Sequence, residues 1–192
     1  LYFKATEGTN GNELWQHDGA STTMAVNINP GSASSHPGWL TAYGGELCFS
    51  AWDATNGHEF WTYDGTTASL TGNIRSGSDS AFPNDLTVYD GKLYFNAITD
   101  ATGDELYKYD GTSVSLAADV ISGSTGSNPA NLTVFDGKLY FTGEWGTSGR
   151  ELVRFDGTSA SLAGDFSFGS GAGTPADMVE YDGGLYLAAA AG

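Results

Sequence analysis

A period of 46 residues that never slips, Asp-Gly turns between β-rich runs, and runs that are apolar on both faces together predict an all-β chain. The architecture they favour is a β-propeller of four-stranded blades. The array is read as one domain over 1–192. Its units fall at 1–46, 47–92, 93–138 and 139–184, and the start of a fifth falls at 185–192.

The period is read first. Glu13, Glu59, Glu105 and Glu151 are evenly spaced, as are Asp18, Asp64, Asp110 and Asp156. Gly11, Gly57, Gly103 and Gly149 keep the same step, and so do Pro37, Pro83, Pro129 and Pro175. Gly31-Ser32 returns as Gly77-Ser78, Gly123-Ser124 and Gly169-Ser170.

Each strand follows from local chemistry. Asn131 to Phe135 is a β-rich run that ends at Asp136-Gly137, a pair that accepts φ > 0 at both turn positions and so predicts a hairpin. Lys138 to Thr142 is the returning strand, and Glu151 to Phe155 is the third, beyond a polar loop. Asp156-Gly157-Thr158 makes a second tight turn, and Ser159 to Phe166 gives the outer strand. Alternation places Leu139 and Phe141 on one face and Tyr140 on the other. Both faces therefore need cover, which stacked blades supply and an isolated sheet does not. A stacked β-solenoid is the rival, but its coils are usually much shorter.

The innermost strands are expected at Leu40, Leu86, Leu132 and Met178. The chain then begins (1–6) and ends (184–189) on a second strand, and those segments would compete for one slot in a closed four-bladed ring. The expectation is part of a longer array, or a ring closed with another chain, with Ala188 to Ala191 as a frayed end.

Composition narrows the partners. Lys+Arg is 7 against 23 Asp+Glu, a net charge of −16, which disfavours nucleic acid and anionic lipid. It favours cations such as Ca²⁺, or solubility in a salty extracellular setting. Gly is 28 of 192, about twice the usual share of ~7%, in keeping with many tight turns. Cys48 is the single cysteine and occupies a strand position held elsewhere by Tyr, so it reads as a small buried residue. No apolar run is long enough for a membrane helix, and the start has no signal-peptide pattern, as in a mature form or an excerpt.

The third strand and its turn read Glu13-Leu14-Trp15-Gln16-His17-Asp18-Gly19, then Glu59-Phe60-Trp61-Thr62-Tyr63-Asp64-Gly65-Thr66. Glu105-Leu106-Tyr107-Lys108-Tyr109-Asp110-Gly111-Thr112 and Glu151-Leu152-Val153-Arg154-Phe155-Asp156-Gly157-Thr158 follow. With the Gly-Lys-Leu-Tyr-Phe segments at 91–95 and 137–141, the chain resembles the ELWxxDGT repeat family of bacterial secreted and surface proteins. Ala20 for Thr and Val153 for the aromatic are the departures. The resemblance implies a propeller-like array outside the cell and no defined activity.

Two site chemistries compete with purely structural roles. Glu13, Glu59, Glu105 and Glu151, with loop acids Asp53, Asp100 and Asp104, are candidate Ca²⁺ ligands, since calcium takes six to eight oxygens. The loop acids are out of register, however, and the spacing is not that of an EF-hand. The competing role for the Glu is to accept backbone N–H bonds at a blade corner, and for the Asp-Gly pairs it is turn chemistry. Trp15, Trp61 and Tyr107 recur on the third strand and suit interblade packing. Trp52 and Trp145, at the variable loop, are the better ligand candidates, for a sugar held against a flat ring.

His17, His36 and His58 show no metal-ligand spacing, and no nucleophile elbow, Walker loop or dinucleotide fingerprint occurs. The expectation is a non-enzymatic, extracellular or cell-surface propeller that serves as a scaffold or adhesion module, with self-association and stabilisation by calcium as further expectations. Its partners would be proteins or glycans. The alternative is a lectin-like propeller, and after it a non-catalytic part of a larger extracellular enzyme.

Overall fold

The structure, a computed structural model, describes residues 1–166 and 175–189. The described residues form seventeen strands and no helix. Sheet I holds β1 (Tyr2–Thr6), β2 (Asn12–His17) and β3 (Thr22–Val26). Sheet II holds β4 (Gly38–Tyr43), β5 (Glu46–Asp53), β6 (Gly57–Tyr63) and β7 (Ala68–Gly72). Sheet III holds β8 (Asn84–Tyr89), β9 (Lys92–Thr99), β10 (Gly103–Tyr109) and β11 (Val114–Ala118). Sheet IV holds β12 (Ala130–Phe135), β13 (Lys138–Glu144), β14 (Arg150–Phe155) and β15 (Ala160–Gly164). Sheet V holds β16 (Ala176–Tyr181) and β17 (Gly184–Ala188). Each sheet is antiparallel and pairs its strands in chain order. Gly169-Ser170, the fourth copy of that pair, and the terminal Ala190 and Ala191 lie outside the described residues.

The turns form for the reason the sequence suggests. Asp136 and Gly137 have φ of 45° and 66°, and Asp90 and Gly91 have 44° and 69°. Both turn residues are left-handed, which matches the twist of a two-residue hairpin. In the second turn, Asp64 Oδ1 accepts the N–H groups of Thr66 and Thr67, each at 2.7 Å. Asp18, Asp110 and Asp156 do the same at their own turns. These bonds favour the ionised carboxylate and hold all four acids below the usual range. The outer strand of sheet IV is shorter than expected and stops at Gly164, because Phe166 turns its N–H to Glu151 Oε2 at 2.8 Å.

The core lies between sheets. Phe95 on β9 stacks against Phe60 on β6 at 4.9 Å, while its neighbour Tyr94 faces the other way and meets Phe155 of sheet IV at 5.6 Å. Tyr2 meets Tyr63 across sheets I and II at 5.8 Å. Period-two alternation thus sends successive residues of one strand to two different neighbours. Burying each such ring is worth roughly 1.5–3 kcal/mol, so the sheets depend on one another for their cover. Cys48 is fully buried in this packing, and burial pushes its thiol up to about 12, with Glu46 adding to the effect.

Hydrogen bonds repeat the same stitching. Thr41 Oγ1 donates to Leu86 O at 3.2 Å and Thr87 Oγ1 to Leu132 O at 3.3 Å, which ties β4 to β8 and β8 to β12. Tyr43 and Tyr89 donate their hydroxyls to Gly91 O and Gly137 O. One loop residue per seam joins two sheets. Ser35 donates its N–H to Asn12 O of β2 and accepts from Trp52 N of β5 at 2.7 Å. Ala81 links His58 O to Ile98 N in the same way.

Candidate ligand-binding site

The repeated acids are built into the frame. Glu13 on β2, Glu59 on β6, Glu105 on β10 and Glu151 on β14 are all buried. Each accepts a backbone N–H from the residue fifteen positions on: Ile28 at 2.9 Å, Ile74 at 2.7 Å, Val120 at 3.1 Å and Phe166 at 2.8 Å. Glu13 and Glu105 also take the hydroxyls of Ser35 and Ser127, both at 2.6 Å. The carboxylate therefore pins the return loop against the sheet it has just left.

Gly57 lets that loop come close. Its φ is +74°, and a Cβ there would lie 2.6 Å from Asp79 O. Gly11 meets Ala33 O and Gly103 meets Gly126 N in the same manner.

Burial raises Glu59 to about 7 against the pull of the Ile74, Arg75 and Ala81 N–H groups. It also raises Glu105, where the Ser127 hydroxyl opposes it most.

The loop acids are dispersed. Asp53 Oδ1 caps its own turn through Thr55 N and Asn56 N, each at 2.7 Å. Asp100 pairs with Arg75 Nη2 at 2.5 Å. Asp104 lies beside Asn96 at 3.4 Å; burial and then Glu105 lift it to about 6, with Arg150 pulling the other way. Among the described residues no three His, Cys, Asp or Glu side chains gather where they could hold a metal ion.

A different set of residues does converge. Among the described residues ten non-glycine residues have positive φ, and seven of them fall in two series with the repeat spacing. The first is His36 (48°), Phe82 (50°) and Asn128 (49°), and the second is Trp39 (57°), Asp85 (57°), Asn131 (59°) and Asp177 (51°). The second series sits where the first strand of sheets II to V carries an extra residue, as between Gly38 and Thr41 opposite Ser50 and Cys48. Asn and Asp tolerate this conformation because a short polar side chain can bond locally. A bulky residue there is strained by about 1–3 kcal/mol. Yet at one seam the chain places Trp, His and Phe.

Those rings face one depression between sheets II and III. His36, Trp39, Ser50, His58, Phe82 and Asn84 line one part of it, about 210 Å³ in volume. Trp52, Ser34 and Ser80 join His36, His58 and Phe82 around an adjoining part of about 430 Å³. Trp39 is 53% exposed and Phe82 54%. Phe82 stacks on His58 with ring centres 5.3 Å apart. Burial, and then the charge of His36, lowers the pKa of His58 and favours the neutral imidazole. No Asp, Glu, Lys or Arg is among the residues lining either part.

At the next seam Asp85, Ile98, Asp104 and Asn128 stand where Trp39, Trp52, His58 and Phe82 stand here. Trp52 thus belongs to the depression. Trp145 lies apart from it, with Ala117, Ala118 and Val120 along a separate cleft of about 400 Å³. Sequence reasoning weighed His36 and His58 only for metal-ligand spacing, and did not put Trp39 or Phe82 forward as ligand candidates. The available signal was a ring in a register position that other units fill with Asn or Asp. No protein-family model matches the chain, and a comparison with curated proteins finds no match.

Proposed function

We propose that this chain is a β-propeller interaction module, displayed outside the cell, that binds a partner and performs no catalysis. The carrying observation is a division of labour. The side chains that repeat in every unit serve turns and return loops, and the chemistry that differs is concentrated around the seam of sheets II and III. Face-to-face sheets with their first strands side by side support the propeller architecture. The net charge of −16 and a single buried thiol fit an extracellular location and disfavour nucleic acid as a partner.

The test is retention. Labelled chain is applied to isolated cell-envelope and extracellular-polymer fractions, and both bound protein and released small products are measured. Saturable retention without product release is expected. No retention on any fraction, or steady release of product, would overturn the reading.

A further inference from the structure

We infer that the depression between sheets II and III is a carbohydrate site, and that it takes a neutral pyranose unit of a glycan against Trp39 and Phe82. The inference rests on the interaction-module reading and names its ligand.

The first argument is the comparison between units. Positions 39 and 82 require left-handed backbone, and the neighbouring units meet that requirement with Asp85, Asn131, Asp177 and Asn128. The fold therefore has no need of a ring at either place. Both rings stay more than half exposed, so they contribute little to the core. Strain kept at one seam, on rings that stay more than half exposed, points to a role in binding.

The second argument is the lining. Flat apolar faces and two imidazoles stand beside the uncharged hydrogen-bonding groups of Ser34, Ser50, Ser80 and Asn84. A pyranose has the matching surfaces, since its axial C–H faces lie on rings and its equatorial hydroxyls both donate and accept. An anionic sugar would meet no Lys or Arg there. A quaternary ammonium could use the rings but none of the hydroxyl and amide partners. Local burial disfavours the charged form of His58, in keeping with an uncharged ligand.

The variants follow from the chain itself. Trp39→Asn and Phe82→Asn copy what the register places at 131 and 128, so both are expected to fold and to melt no lower than the parent. Maltohexaose, cellohexaose, mannohexaose and chitohexaose are titrated into the parent and into both variants, read by calorimetry and tryptophan fluorescence. At least one should bind saturably to the parent, and each variant should weaken it tenfold or more. Tetramethylammonium and a decaproline peptide are titrated in parallel.

The inference is overturned if none of the four sugars binds, if binding survives both variants, or if the ammonium or the peptide binds in their place. If envelope retention persists while the sugars neither bind nor compete, the sugar assignment alone falls. If retention also fails, the module reading falls with it.

Discussion

Ser127 donates its hydroxyl to the buried carboxylate of Glu105 at 2.6 Å, and Ala81 stands at the corresponding place opposite Glu59. One seam thus lacks a donor that its neighbour has. Ala81→Ser should restore it. A hydrogen bond to a charged group is worth about 1.5–3 kcal/mol, less what the added oxygen costs in packing. The variant should melt higher than the parent at pH 8, and the gain should shrink by pH 5 as Glu59 takes up its proton. Melting curves at the two pH values, with an NMR titration of the Glu59 carboxyl, check this.

The same buried acids give the stability a definite slope with pH. Glu59 is raised from 4.5 to about 7 and Asp104 from 3.8 to about 6, and Glu105 is also raised. In the unfolded chain these groups ionise at their ordinary values. Between those values and about 7, the folded chain therefore holds protons that the unfolded chain has lost. Their contribution is fully present below the ordinary range and is lost as pH rises. The turn acids Asp18, Asp64, Asp110 and Asp156 are lowered, so theirs is present above the ordinary range and is lost on further acidification. The melting temperature should peak near about pH 4.5 and fall toward pH 8. Glu59→Gln should flatten the fall between pH 5 and 8.

Gly57→Ala should be severely destabilising, by roughly 2 kcal/mol or more, because it combines a left-handed φ with a contact onto main chain. The Cβ would lie 2.6 Å from Asp79 O, which cannot swing aside like a side-chain end. Gly65→Ala is the matched control, with a left-handed φ of 96° and open space around its Cβ. It should lose less. Chemical denaturation of both variants separates strain from collision.

Melting in EDTA and then in millimolar calcium should give one midpoint. The repeated carboxylates already hold N–H groups, and Asp53, Asp100 and Asp104 are engaged separately. A ligand that binds only the folded state must raise the midpoint. A clear rise would assign some of these acids to the ion.

The sequence was most informative where one residue acts on its near neighbours. Asp136-Gly137 announces a hairpin because both residues accept the φ it needs, and Leu139, Tyr140 and Phe141 announce two apolar faces by alternation. The corner role of the Glu could be framed from its recurrence, although its partners Ile28, Ile74, Val120 and Phe166 come from a loop whose path no local rule dictates. The depression was harder to see. Trp39 and Phe82 are 43 positions apart, and nothing in their local spacing reveals a left-handed φ at either. Trp52 and Trp145 looked alike because both adjoin the variable loop. They occupy successive places in the register, so alternation sends them to different sides of a sheet.

The loop residues Ser35 and Ala81 belong to two sheets at once, each giving its N–H to the sheet before and its carbonyl to the sheet after. Water therefore cannot enter a seam without loosening the structure on both sides. The unit that opens is the seam with its two flanking sheets, larger than the repeat written in the sequence. A protease that cuts one connecting loop would thus expose two sheets, and amides far from the cut would lose protection together.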